Sequence, residues 1–150
     1  EMLADVLAAY ADGSVTYEVQ DEVRATYARR LEKSDGRIDW RRPAEWVDRQ
    51  IRAMTPWPGA FTDLCLPAVE PVRLVVLRAG VCECGEGGRV AGRIDVRPGP
   101  RLVVWAGAGC VELLRLKPAG RKEMSAAEFV RGSPVLRGCS GRGEIGFASG

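Results

Sequence analysis

Residues 43–62 read PAEWVDRQIRAMTPWPGAFT. The first half has the spacing of a short amphipathic helix. Trp46, Val47, Gln50, Ile51 and Met54 fall on one stripe, while Glu45, Asp48, Arg49 and Arg52 take the other face. Pro43 suits the first helical turn, where its missing N–H costs nothing, and Arg42 before it is a poor cap. Pro56 ends the helix by pushing Thr55 out of the α region. Trp57-Pro58-Gly59-Ala60 then predicts a type II turn, with Gly59 at the position that needs positive φ. By itself this is a helix and a turn anchoring a loop on a core, with Trp40 and Trp57 as anchors and Arg52 as an ion-pairing residue.

Period two takes over after the turn. Val72–Ala79, Arg89–Val96, Leu102–Ala106 and Val111–Leu116 are expected as strands. Pro98-Gly99-Pro100 and Gly107-Ala108-Gly109 are turns between them, and Gly85–Gly88 is a glycine-rich tip. Short strands punctuated in this way predict a small barrel or sandwich. The glycines lie between strands and not between a strand and a helix, so no dinucleotide-binding loop is indicated. Ser125-Ala126-Ala127-Glu128 then spells a capping box, with Met124 and Phe129 placed as a hydrophobic staple and Gly132 as the stop. From residue 133 the pattern is weak, with Ile145 and Phe147 as the apolar groups able to dock.

Upstream, Met2, Leu3, Val6, Leu7 and Tyr10 form the stripe of a helix over residues 2–12, and Gly13 is placed to close it. Residues 14–23 alternate as a short extended piece would. Residues 24–42 carry Arg24, Arg29, Arg30, Lys33, Arg37, Arg41 and Arg42 against three acids. The formal net charge of +2 hides an asymmetry: all 22 basic side chains follow residue 23, whereas six of the 20 acids precede it. Such a distribution points to a polyanionic partner or to a solvated linker.

The words in this order resemble the carboxy-terminal part of the methionyl-tRNA formyltransferase family. Thr26-Tyr27-Ala28, Lys33, Asp35-Gly36, Ile38-Asp39-Trp40, Ile51-Arg52-Ala53, Pro56-Trp57-Pro58-Gly59-Ala60 and Leu116-Lys117-Pro118-Ala119-Gly120-Arg121-Lys122 carry the resemblance, which covers about residues 1–132. Thr55 and Lys117 depart from it, standing where the family usually has Asn and Gln. The resemblance implies a mainly β fold, an OB-like five-stranded barrel with flanking short helices. It divides the chain into the last helix of an absent α/β catalytic domain (1–23), a basic linker (24–42), the OB-like domain (43–132) and a tail (133–150). The implied partners are initiator Met-tRNA and that amino-terminal domain, in a cytoplasmic monomer with no membrane contact. The implied cosubstrate of the whole enzyme is 10-formyltetrahydrofolate, with no cofactor and no catalytic residue in this chain. The family's catalytic constellation includes a His, and this sequence has none. Residues expected at the tRNA are Arg24, Arg29, Arg30, Lys33, Arg37, Arg41, Arg42, Lys117, Arg121 and Lys122. Two other readings stay open: the equivalent domain of a formyltransferase acting on nucleotide sugars or folate, and a stand-alone RNA-binding or interaction module.

Five cysteines, an odd number without a secretion signal, predict reduced thiols. Cys82-Glu83-Cys84 is half of a zinc pattern, but no His and no second close pair completes it, so no metal is expected. Alternation would put Cys82 and Cys84 on one face.

Overall fold

A computed structural model of the chain describes residues 2–66, 69–85, 90–137 and 146–147. Arg89 at the start of an expected strand, Glu86–Gly88 of the tip, Cys139 and Ile145 lie outside the described residues. The chain divides into two compact units, residues 1–30 and 31–150.

The first unit opens with helix α1, Met2–Asp12. Gly13 takes φ +77°, as its position at the helix end predicted. The Ser14 N–H then returns to the Ala9 carbonyl at 3.0 Å. The apolar stripe of Met2, Leu3, Val6, Leu7 and Tyr10 is exposed. Residues 14–21 pair with no strand, and a 3-10 turn capped by the Asp21 carboxylate follows at Glu22–Arg24.

In the second unit a 3-10 turn at Lys33–Gly36 precedes α2, Ala44–Met54. Pro43 is the residue before the helix and not its first turn, with ψ 150° and no side-chain cap. Val47, Gln50 and Ile51 bury as the stripe predicted, Trp46 of the same stripe is exposed, and α2 lies on the sheet. The strands are β1 (Ala60–Leu66), β2 (Val69–Cys82), β3 (Ile94–Arg97), β4 (Arg101–Trp105) and β5 (Cys110–Pro118). They curl into an OB-like half-barrel in the order β3-β4-β5-β2-β1. Short pairings add β6 (Met124–Ser125) to β5 and β7 (Gly146–Phe147) to β1. The β1 strand is absent from the sequence reading, and Gly92 with φ +84° shortens the expected Arg89–Val96 strand to β3.

Trp40 and Ile38 anchor the core, both fully buried, among Val47, Ile51, Leu74, Leu102 and Leu113. The Trp40 indole Nε1–H donates to Thr62 Oγ1 at 3.0 Å, satisfying a polar pair in the interior. Trp57 is not an anchor: it is 55% exposed. The bonds preceding Pro56 and Pro58 are both cis, and Gly59 takes φ +89°. The turn closes through the Gly59 N–H on the Met54 carbonyl at 2.8 Å. Arg52 pairs with Asp48 one turn earlier at 3.0 Å.

The capping box forms as read. Ser125 Oγ accepts from the Glu128 N–H, and the Glu128 carboxylate accepts from the Ser125 N–H. The helix it starts, α3 (Ala126–Gly132), is followed by Ser133 as cap, so Gly132 is its last residue and not its stop. Met124 and Phe129 both pack on the core. A final turn, α4 (Pro134–Arg137), buries Leu136 completely.

The thiol expectation fails at one pair. Cys84 lies two residues beyond the end of β2 and is disulfide-bonded to Cys110 at the start of β5. Their separation of 26 residues is closed by the register of β2 on β5, which the cysteine count cannot show.

Candidate nucleic-acid interface

Residues that face each other across antiparallel strands share a face of the sheet. Ala60, Val76 and Leu116 are such a row, as are Thr62, Leu74 and Pro118, and both rows are buried. The rows between them therefore point out. One holds Phe61, Val75 and Lys117, and the next holds Asp63 and Arg73. Further along, Arg78 faces Arg115, where the register shifts leave both exposed. Arg37 joins at the edge through a parallel bridge to Phe61.

Among the described residues Asp63 is the carboxylate between the Arg37 and Arg73 guanidinium groups on this face. It accepts from Arg73 Nε at 2.9 Å and from Arg37 Nη1 at 3.2 Å. The hydrogen bond from Arg73, with the nearby charges of Arg73 and Arg37, holds the Asp63 carboxyl below the usual carboxylate range, and Arg73 is raised in turn. Two guanidinium groups on one carboxylate leave the trio net positive. The Arg73 guanidinium also covers the Phe61 ring, 4.5 Å from its centroid. A stacked guanidinium is held flat at low entropic cost, with its outer side available to phosphate or base.

The loop after β5 is tied to the same region. The Ala119 N–H donates to the Arg73 carbonyl at 2.9 Å, and Gly120 turns with φ +72°. Arg121 and Lys122 follow, both exposed. Among the described residues Lys117, Arg121, Lys122 and Arg78 stand within ion-pair distance of no carboxylate. Arg115 has one partner, Glu123, at 2.7 Å.

Two of the expected residues lie on this face, Arg37 and Lys117; Arg121 and Lys122 follow in the loop after β5, where Arg121 lines a groove with Leu64, Val72, Met124 and Phe129. Lys33 lies in the 3-10 turn that includes Gly36, which packs against the Gly59 carbonyl. Arg41 and Arg42 do not join the others. The Gly107 N–H donates to the Arg42 carbonyl at 3.0 Å, which places the pair beside the turn before β5, at the opposite end of that strand from Lys117. Both also lean on Asp39, at 2.8 and 3.7 Å. The hydrogen bond from Arg41 lowers Asp39 and raises Arg41. The Arg42 guanidinium lies over Trp46 at 5.3 Å. Arg24, Arg29 and Arg30 belong to the first unit; all are exposed, and Arg29 donates to the Arg30 carbonyl at 3.3 Å.

Sequence reasoning missed Arg73, Arg78 and Arg115. Alternation in VRLVVLRA sends Arg73 away from the core, whereas Arg78 and Arg115 face out only because the register shifts there, which alternation does not show.

The profile of the formyl transferase C-terminal domain matches residues 30–134. The methionyl-tRNA formyltransferase of Parvibaculum lavamentivorans is 38% identical over 138 residues, 91% of this chain and 43% of the relative. That of Gluconacetobacter diazotrophicus is 41% identical over 134 residues, 87% of this chain and 40% of the relative. The chain spans less than half the length of these curated relatives. Among solved structures, a HypX variant from Aquifex aeolicus superposes with a TM-score of 0.62 at 17% identity, covering 93% of this chain and 24% of that one. HypX in complex with tetrahydrofolic acid gives 0.60 at 15% identity, with 97% and 25% covered. At such identity the likeness is one of fold. With a profile match across most of its length, this chain belongs to the formyl transferase C-terminal domain family.

Proposed function

We propose that this chain is the carboxy-terminal, tRNA-holding part of a methionyl-tRNA formyltransferase. The whole enzyme would transfer the formyl group of 10-formyltetrahydrofolate to the amino group of methionine on initiator tRNA. The names of the curated relatives support the reaction class. The observation that carries the role of this chain is that Lys117 on the outward face, and Arg121 and Lys122 in the loop bonded to the Arg73 carbonyl, have among the described residues no carboxylate within ion-pair distance.

The chemistry is assigned to an amino-terminal catalytic unit, which the exposed apolar stripe of α1 suits as a covered face. The sequence here has no His to act as a general base. What this chain contributes is position. Lys and Arg contacts to phosphates fix register without reading sequence. Binding energy gained far from the reacting amine then serves the chemical step. Arg24, Arg29, Arg30 and Lys33 extend the same role along the linker, and Arg41 and Arg42 form a secondary contact weakened by Asp39.

The test is tRNA affinity by fluorescence anisotropy over a salt series. Each true phosphate contact adds roughly 1 to the slope of log affinity against log salt. Replacing Lys117, Arg121 and Lys122 together by Ala should lower the slope by about 2–3 and weaken initiator and elongator tRNA alike. Arg41→Ala with Arg42→Ala should lower it by less. An unchanged slope and affinity in the triple variant would overturn the assignment. The 150-residue chain alone should transfer no formyl group.

A further inference from the structure

Three cysteines meet at the end of the β2–β5 ladder, away from the basic face. Cys82, the last residue of β2, stands opposite Cys110, the first residue of β5. Cys110 also stands opposite Trp105 of β4. Cys110 is fully buried with Val103 and Trp105, and Cys82 packs against that group as a free, half-buried thiol. Cys84 is exposed and bonded to Cys110, with Cα atoms 5.4 Å apart. Arg97 of β3 holds the intervening residue, its Nη1 donating to the Glu83 carbonyl at 2.7 Å.

Directly opposed residues in an antiparallel pair have Cα atoms about 4.5–5.5 Å apart, within the span that disulfides occupy. Cys110 therefore has two partners in range. No cluster of described side chains is suited to a metal ion, so the chemistry open to these sulfurs is exchange with one another.

We propose that Cys82, Cys84 and Cys110 form a thiol–disulfide exchange site in which the buried Cys110 sulfur is bonded alternately to Cys84 and to Cys82. In the forward step the Cys82 thiol gives its proton to water and its sulfur attacks Cys110 Sγ. The Cys82–Cys110 bond forms, the Cys84–Cys110 bond breaks, and the Cys84 thiolate leaves and takes up a proton. No oxidant is consumed. The bond moves from the exposed rim to the buried last rung, and a free thiol is left where soluble thiols and disulfides of the glutathione type reach it. Burial pushes the Cys82 thiol up, with Glu112 in the same direction and Arg97 and Arg101 opposing, so the resting nucleophile is protonated and the exchange is slow at neutral pH. This site is independent of the tRNA reading.

The experiment uses the full chain with Cys65→Ser and Cys139→Ser, so that three thiols remain. The folded protein is equilibrated with reduced and oxidised glutathione, quenched in acid, alkylated and mapped by mass spectrometry. Both the Cys84–Cys110 and the Cys82–Cys110 linked peptides are expected. Cys84→Ser should keep one disulfide, now Cys82–Cys110, and Cys110→Ser should carry glutathione on Cys84. Recovery of the Cys84–Cys110 peptide alone from the parent overturns the proposal. So does a folded Cys84→Ser chain, checked by circular dichroism, in which both remaining thiols are alkylated. The parent map decides the matter if the variant does not fold.

Discussion

The buried pair of Trp40 and Thr62 permits a prediction that separates a hydrogen bond from packing. Both side chains are all but inaccessible, and the indole N–H donates to the hydroxyl at 3.0 Å. Thr62→Val removes the acceptor with little change of shape and suits a strand. It takes the hydroxyl acceptor away from the buried indole N–H, at a cost of about 1–3 kcal/mol. Trp40→Phe removes the donor, orphans the hydroxyl at a similar cost, and adds a cavity where the second ring lay. The double variant keeps the cavity but holds neither orphan. Its loss should therefore fall short of the summed single losses by about 1–3 kcal/mol. Urea unfolding reads this directly: with a slope of about 1–3 kcal/mol per molar, a single loss of 2 kcal/mol moves the midpoint by about 1 M. Additivity of the three variants within about 0.5 kcal/mol would refute the reasoning, since it would mean that the bond contributes nothing beyond the two side chains separately.

Two further outcomes follow from the local geometry. Ser125→Ala should cost about 1 kcal/mol by removing the cap on the Glu128 N–H, with tRNA affinity unchanged; a lost affinity at equal stability would move Ser125 into the binding face. Asp63→Asn should destabilise at neutral pH. Because Arg73 and Arg37 depress the Asp63 carboxyl, its stabilising contribution is present above the unfolded value of about 3.9 and is lost as pH falls through the lower folded value. The gap between variant and parent in denaturation midpoints should thus close in acid, and a gap independent of pH would remove the ion pair from the account.

What could be read from the sequence was what is local. The α3 cap lies within four letters and formed as its spacing predicts; the α2 stripe lies within eleven residues and formed at Val47, Gln50 and Ile51 but not at Trp46, which is 38% exposed. The β1 strand was missed because its alternation is inverted in chemistry: Thr62 points inward and Phe61 outward. Thr62 is tolerated inside only because Trp40, 22 residues earlier, supplies its partner. The same non-locality hid the Asp63 trio and the Cys84–Cys110 bond, each of which needs the strand register. The exposure of Arg121 and Lys122 was legible because a loop of like charges after a strand has few places to hide them. Arg73 did not stand out, since one Arg in an apolar strand reads as ordinary alternation.

The segment from Gly36 to Ala44 is fastened by backbone at both ends: Gly36 against the Gly59 carbonyl, Gly107 against the Arg41 carbonyl, and the Ala44 N–H on the Ala108 carbonyl at 2.8 Å. This decides where the chain can be cut and lengthened. New residues within 107–109 would have to displace peptide groups already in contact, so a tag or a pair of new termini placed there would unseat the helix start as well as the turn. At the exposed Pro98–Gly99–Pro100 turn, a Cβ on Gly99 would come near only the Arg101 side chain among the described residues. Extra length at such an exposed tip costs only loop entropy, which grows slowly with the number of residues. A reporter peptide inserted after Gly99 would leave the barrel and its basic face intact.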